Sequence, residues 1–77
     1  MAEYSWIKRN EGKWDLWIDG EPAGYVVKVK FKNGSLQWQG IAFYKKTKKF
    51  SNPVAAKERL TAKNLVLQKA KRLRGLK

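Results

Sequence analysis

The sequence predicts an α+β fold, in which a three- to four-stranded antiparallel sheet is followed by one long C-terminal helix packed across one sheet face. Two observations lead to this prediction. Up to about residue 44, apolar and polar residues alternate between clusters of turn residues, which is typical of strands. Between Pro53 and Gly75 no helix breaker occurs, and apolar residues recur every three or four positions, which is typical of a helix.

The chain is expected to form a single domain, because its 77 residues are too few for two hydrophobic cores. We place the sheet in residues 4–44, a basic loop in residues 45–49 and the helix in residues 52–74. A core of this size is marginal, and the absence of cysteine leaves packing as the means of stabilisation, with or without a second copy.

Four short segments are predicted as strands, and they cover residues 4–9, 13–18, 25–32 and 36–44. The turn between the last two is Asn33-Gly34, which is a strong hairpin signal because both residues tolerate a positive φ. Gly40 interrupts the fourth segment, and a glycine inside a strand predicts a β-bulge.

The helix is predicted to begin beside Pro53, with Ser51 or Asn52 as its N-cap. Its polar residues are spaced by three or four and form one stripe, which contains Lys57, Thr61, Asn64, Gln68, Lys71 and Arg74. The predicted sheet is too narrow to cover the whole helix, so the distal half is expected to project. Its apolar residues would then favour a homodimer, with contacts from Leu65, Leu67, Leu73 and Leu76.

The charge is unevenly distributed along the chain. The net formal charge is +12, yet residues 1–21 hold three basic residues against five acidic ones. Residues 22–77 hold fifteen basic residues against Glu58 alone. A field of one sign repels itself and costs stability, so it indicates a polyanionic partner that neutralises it. We predict a nucleic acid, with DNA favoured over RNA.

The predicted strand at residues 25–32 separates lysines from apolar residues. Tyr25, Val27, Val29 and Phe31 are expected to face the helix, which turns the lysines outward beside Trp17 and two glutamines. Lysines neutralise phosphates, glutamine pairs with adenine edges, and an exposed tryptophan stacks on bases. The predicted nucleic-acid-binding residues are Arg9, Trp17, Lys28, Lys30, Lys32, Gln37, Gln39, Lys45, Lys46, Lys48 and Lys49.

Enzymatic activity is not expected. The chain has neither histidine nor cysteine, and Asp15 and Asp19 fit a solvated hairpin edge better than an acid–base pair. No glycine-rich phosphate loop precedes the helix. We therefore predict no catalytic residue, no metal site and no cofactor.

Other interpretations remain open at this stage. Lysines on a strand are often simply solvated or protect an edge from aggregation, and Trp17 fits a partly buried rim position equally well. A small basic protein also fits a phage-type interaction factor that docks on an acidic host protein through its helix, or a ribosome-associated protein. Membrane binding is not expected, because the helix stripe is only partly basic.

The expected location is the cytoplasm of a bacterial or phage-infected cell, or its nucleoid. No apolar run is long enough to span a bilayer, and no charged-then-apolar signal segment begins the chain.

Two stretches resemble AP2 and integrase-type DNA-binding domains. G-K-W-D-L-W-I at residues 12–18 is similar to the G-K-W-x-A-x-I strand of that family, and F-S-N-P-V-A-A at residues 50–56 is similar to its helix entry, F-x-T-x-E-E-A-A. The resemblance implies a three-stranded sheet that lies in the DNA major groove, with Trp17 towards DNA. Small phage-encoded DNA-binding proteins and single-strand binders of the PC4 type are alternatives with a similar order of elements.

Overall fold

The computed structural model describes residues 3–76, and these form six strands and one helix. The elements are β1 (Tyr4–Asn10), β2 (Lys13–Ile18), β3 (Glu21–Lys30), β4 (Leu36–Tyr44), β5 (Lys49–Phe50), β6 (Val54–Ala56) and α1 (Arg59–Leu73). All pairings are antiparallel, and the sheet order is β1-β2-β3-β4-β5. β6 also pairs with β4, so β5 and β6 occupy successive stretches of the same β4 edge.

The α+β class is confirmed, but the predicted number of strands is too small. All four predicted strands are present, and the third begins earlier than expected, at Glu21. The additional strands β5 and β6 pair with an edge of β4 that would otherwise leave backbone N–H and C=O groups without partners. The pairing of β6 also explains why the helix prediction was wrong at its start.

The helix begins at Arg59 and not at residue 52, and it is 15 residues long. Its length is therefore about 22 Å, whereas a helix over residues 52–74 would be about 30–35 Å long. Residues 54–56 extend along β4, and the N-cap residue Glu58 makes no side-chain capping bond. The predicted capping by Ser51 or Asn52 is wrong, because Ser51 instead bonds to Ala42 in β4.

The predicted end of the helix at Gly75 is confirmed. Gly75 has a φ of 71°, which a residue without a side chain adopts at little cost. The N–H of Leu76 donates to the carbonyl of Lys71 at 2.8 Å, and the N–H of Gly75 donates to the carbonyl of Arg72 at 3.1 Å. This pair of bonds is a Schellman motif, and it turns Leu76 back towards the core.

Small residues allow the helix to lie close to the sheet. Ala62, Val66 and Ala70 are fully buried at successive turns of α1. The methyl groups of Val66 lie against two glycines of the sheet, Gly24 and Gly40. Gly40 is part of a regular ladder and pairs with Val26, so the predicted bulge there is wrong. Its role is to leave room for the helix.

The leucines of the distal half of the helix pack against the protein's own core. Leu65, Leu67, Leu73 and Leu76 are all partly buried against it. The prediction that the distal half of the helix projects, with these leucines free to contact a second copy or an acidic host protein, is therefore wrong. Homodimerisation itself stays a prediction, and so does docking on an acidic host protein.

Cationic residues of the helix cover aromatic rings of the sheet. Lys63 Nζ lies 4.2 Å from the ring centroid of Trp14 and 4.9 Å from that of Trp6, and Lys71 Nζ lies 5.0 Å from that of Tyr4. Burial lowers the pKa of Lys63, and the neighbouring Arg59 lowers it further. Lys71 of the predicted polar stripe is thus only partly exposed, and its ammonium group lies over the ring of Tyr4.

Candidate functional site

One face of the sheet carries the helix, and we call the opposite one the open face. No element among residues 3–76 packs across it. The strand register assigns its side chains, since residues opposite one another share a face. The open face contains Ser5 and Ile7 of β1, Lys13, Asp15 and Trp17 of β2, Tyr25, Val27 and Val29 of β3, and Gln37, Gln39, Ile41 and Phe43 of β4.

The predicted orientation of β3 is wrong. Val26 is fully buried under the helix, opposite Gly40, whereas Tyr25, Val27 and Val29 lie on the open face. The lysines of this strand therefore lie on the helix side. Tyr25 would not fit beneath Val66, where the close approach of helix and sheet requires Gly24 and Gly40.

The lysines of β3 remain in solvent because the helix does not reach them. Lys28 pairs with Trp38, whose ring lies 6.0 Å from the guanidinium of Arg59, the first helical residue. Lys28 and Lys30 thus pass the N-terminal end of the helix and are exposed. Lys32 lies in the turn after β3. The prediction that these three lysines share one surface with Trp17 is therefore wrong.

Trp17 lies on the open face, as predicted, but most of its surface is buried. Its indole N–H is buried and has no acceptor among residues 3–76. Arg9 is near the same face, where its Nε donates to Asp15 at 2.7 Å. The charge of Arg9 therefore already has a partner, and Trp17 offers only part of its ring.

The two predicted glutamines are adjacent on the open face. Gln39 Nε2 donates to Gln37 Oε1 at 3.3 Å, and both side chains are partly exposed. Gln39 also lines a shallow cleft of about 200 Å³ with Tyr25 and Ile41. The amide of Gln39 therefore shares this cleft with the aromatic ring of Tyr25.

The basic loop at residues 45–49 forms a tight turn over residues 45–48 and enters β5 at Lys49. The N–H of Lys48 donates to the carbonyl of Lys45 at 3.2 Å, and Lys48 has a φ of 57°. All four loop lysines are exposed, and within residues 3–76 none of them forms an ion pair. The loop therefore presents four ammonium groups without a counter-charge in the described part of the chain.

An aromatic cleft, which we call the corner cleft, lies where the loop meets the open face. Its volume is about 330 Å³, and it is lined by Phe43, Tyr44, Lys45, Lys48, Lys49 and Phe50. The rings of Phe43 and Phe50 lie 6.1 Å apart, tilted by 49°. Phe50 is 68% exposed, which is unusual for a large apolar side chain. Aromatic surface and unpaired lysines thus share one cleft.

Short-range pairing and one buried arginine hold the corner cleft in place. Phe43 and Phe50 pair directly across β4 and β5, which puts both rings on the open face. Ser51 then closes the strand pair, since its N–H donates to the carbonyl of Ala42 at 2.8 Å and its Oγ accepts from the N–H of Ala42 at 2.9 Å. From the other side, Arg74 Nη1 donates to the carbonyl of Phe43 at 2.9 Å.

Two separate basic clusters replace the predicted continuous track. The β3 lysines lie near Leu36, where β4 begins, whereas the loop lysines follow Tyr44, where it ends. These ends are about 25–30 Å apart at the usual rise of a strand. The loop cluster adjoins aromatic side chains of the open face, with which it lines a common cleft.

Sequence reasoning missed the aromatic residues of this site. Tyr25 was assigned to the core, and Phe50 was assigned to the entry of a helix. The position of Phe43 could have been predicted, because the alternation that places Gln37 and Gln39 on the open face continues to residue 43. Phe50 gave no such signal, since its strand has only two residues.

Comparisons of the chain with protein-family models, curated proteins and solved structures gave no significant match. The resemblance to AP2 and integrase-type domains therefore stays a prediction. The helix of residues 3–76 is too short and too polar to cross a membrane.

Proposed function

We propose that this protein binds nucleic acid through its open sheet face and the basic loop at residues 45–49. The observation that carries this proposal is the corner cleft, where exposed aromatic rings lie beside lysines without ion-pair partners among residues 3–76. Lysines of this kind bind phosphates and release counterions, and aromatic rings and amides contact bases.

The distribution of charge supports the same proposal. Several cations of the chain already have partners: Lys8 pairs with Glu11, and Arg9 pairs with Asp15. The loop lysines have none among residues 3–76, so a polyanion that binds there displaces no internal ion pair. DNA and RNA both supply such a polyanion, and DNA remains the favoured partner.

Two triple variants with the same net charge test this proposal. We expect Lys45→Gln/Lys48→Gln/Lys49→Gln to weaken DNA binding at least tenfold at about 0.1 M salt and to make the slope of log K against log[salt] shallower by about 2–3 units, roughly one per phosphate contact. Lys28→Gln/Lys30→Gln/Lys32→Gln removes as many charges from the other side and should change both quantities much less. Fluorescence anisotropy with labelled oligonucleotides over a salt series measures both.

All six of these lysines are exposed, so both variants should fold like the native chain, which circular dichroism verifies. Equal losses of DNA affinity in the two variants would show that binding depends on net charge alone and would reject the proposed surface. If the native chain binds neither DNA nor RNA, the proposed function itself is wrong.

Lys48→Gly separates the charge of the loop from its backbone. The φ of 57° at Lys48 is costly for a residue with a side chain and free for glycine. We expect Lys48→Gly to raise the free energy of unfolding by about 0.5 kcal/mol, since relief of strain outweighs the greater entropy of the unfolded chain. Binding should nevertheless weaken, with a salt slope about 1 unit shallower.

Urea titration and the same anisotropy assay measure these two effects. Lys48→Ala is the matched control, because it removes the same charge and keeps the strain. It should weaken DNA binding equally without raising stability. Stronger binding by Lys48→Gly than by Lys48→Ala would mean that the shape of the turn, and not this ammonium group, determines the contact.

A further inference from the structure

We infer that the corner cleft binds an unpaired nucleobase, so that the preferred ligand is a single strand. This inference rests on the proposed function and specifies its ligand. The base would stack on the ring of Phe50, while the loop lysines bind the phosphates on either side of it. An aromatic ring that is 68% exposed offers a face to such a ligand without rearrangement.

The walls of the corner cleft favour a flat apolar group. Its two phenylalanine rings are 6.1 Å apart and tilted by 49°, so they form an open angle in which one ring supports the other. The volume of about 330 Å³ is at the lower end of the range for small-ligand sites. Charge occurs only at its margin, on Lys45, Lys48 and Lys49.

A base pair inside a duplex cannot use this cleft. Its faces are covered by the neighbouring pairs, and exposing one requires unstacking at a cost of a few kcal/mol. A single strand presents its base faces freely, and stacking on an aromatic side chain tolerates any base. The arrangement of one exposed ring within a group of cations therefore favours single strands and little sequence specificity.

A second contact point continues the same path along the open face. Ile41 precedes Phe43 by two residues on β4, so it lies about 7 Å away on the same face. It lines the shallow cleft with Tyr25 and Gln39. A nucleic-acid single strand that leaves the corner cleft in this direction would reach the ring of Tyr25 and the amide of Gln39. These two side chains would then contact a neighbouring base.

The test is Phe50→Leu in the full chain, whose affinity is measured for oligonucleotides of about 15 nucleotides. The probes are an unstructured thymidine strand, a uridine strand and a mixed-sequence DNA duplex. We expect the native chain to prefer the single strands and Phe50→Leu to weaken their binding about tenfold, with no change in the salt slope, because no charge is lost. Phe50→Trp should restore affinity, and its added fluorescence should be quenched by the single strands.

Leu60→Ala is the control, since Leu60 is equally exposed, at 67%, but lies on the helix. It should leave every affinity unchanged. Preference for the duplex, or single-strand binding unaffected by Phe50→Leu, would overturn the inference, and the lysine triple variants would still decide the proposed function. Absence of binding to all three probes would overturn both.

Discussion

Gly40→Ala is expected to lower the free energy of unfolding by about 3 kcal/mol or more, because a side chain there overpacks the contact between helix and sheet. An added Cβ would lie 2.5 Å from the carbonyl oxygen of Tyr25 and 2.6 Å from a methyl group of Val66. The carbonyl belongs to the β3 backbone and cannot move without disturbing the sheet. The melting temperature should fall by roughly 12–24 °C in a domain of this size.

Gly12→Ala is the matched control for this substitution. Its Cβ would meet its nearest neighbour at 3.6 Å, which is an ordinary contact, so we expect at most a small change in stability. Thermal melting followed by circular dichroism compares the two variants. Similar melting temperatures would contradict the packing described for Gly40.

A double-mutant cycle locates the cause of the Gly40→Ala effect. Val66→Ala removes the methyl groups that the new Cβ would meet. We therefore expect it to lower the free energy of unfolding by about 1 kcal/mol less in the Gly40→Ala background than in the native chain. The clash with the Tyr25 carbonyl would persist, so rescue should be partial. Purely additive effects would mean that Val66 and Gly40 do not contact each other as described.

Arg74→Ala is expected to cost about 3 kcal/mol of unfolding free energy. The Arg74 side chain is only 6% exposed, although the sequence placed it on a solvated stripe. Its guanidinium donates to the carbonyl of Phe43 at 2.9 Å and to Glu21 at 3.1 Å, and it lies 4.4 Å from the ring centroid of Tyr44. Removing it leaves the carbonyl of Phe43 in β4 and the carboxylate of Glu21 in β3 without this donor.

Arg74→Lys distinguishes charge from geometry. A lysine keeps the charge but cannot donate to two acceptors in one plane, so we expect about half of the loss. Arg72, in the last turn of the helix, is exposed, and Arg72→Ala should change stability by less than about 0.5 kcal/mol. Urea titrations of the three variants measure these differences. Equal stability of Arg74→Ala and Arg72→Ala would rule out an anchoring role for Arg74.

Much of the fold was predictable because its signals are local. The strands at residues 13–18 and 36–44 have the predicted bounds, since alternation and turn residues act over a few neighbouring positions. Gly75 ends the helix for an equally local reason. The start of the helix was not predictable in this way, because pairing of residues 54–56 with β4 competes with helix formation.

The candidate site was predictable only in part. Trp17, Gln37 and Gln39 lie on the open face as predicted, and the loop lysines are exposed. The ring of Phe50 was missed, because its position follows from pairing with Phe43 seven residues earlier in the chain. The function of this surface remains a proposal, to be decided by the binding experiments above.

The orientation of β3 illustrates the limit of local information. Alternation correctly separated Lys28 and Lys30 from Val27 and Val29, but a period of two is the same whichever set is buried. Long-range packing made that choice. The helix lies close over Gly24 and Gly40, and its N-terminal end does not cover the lysines, so Val26 enters the core while Tyr25, Val27 and Val29 lie on the open face.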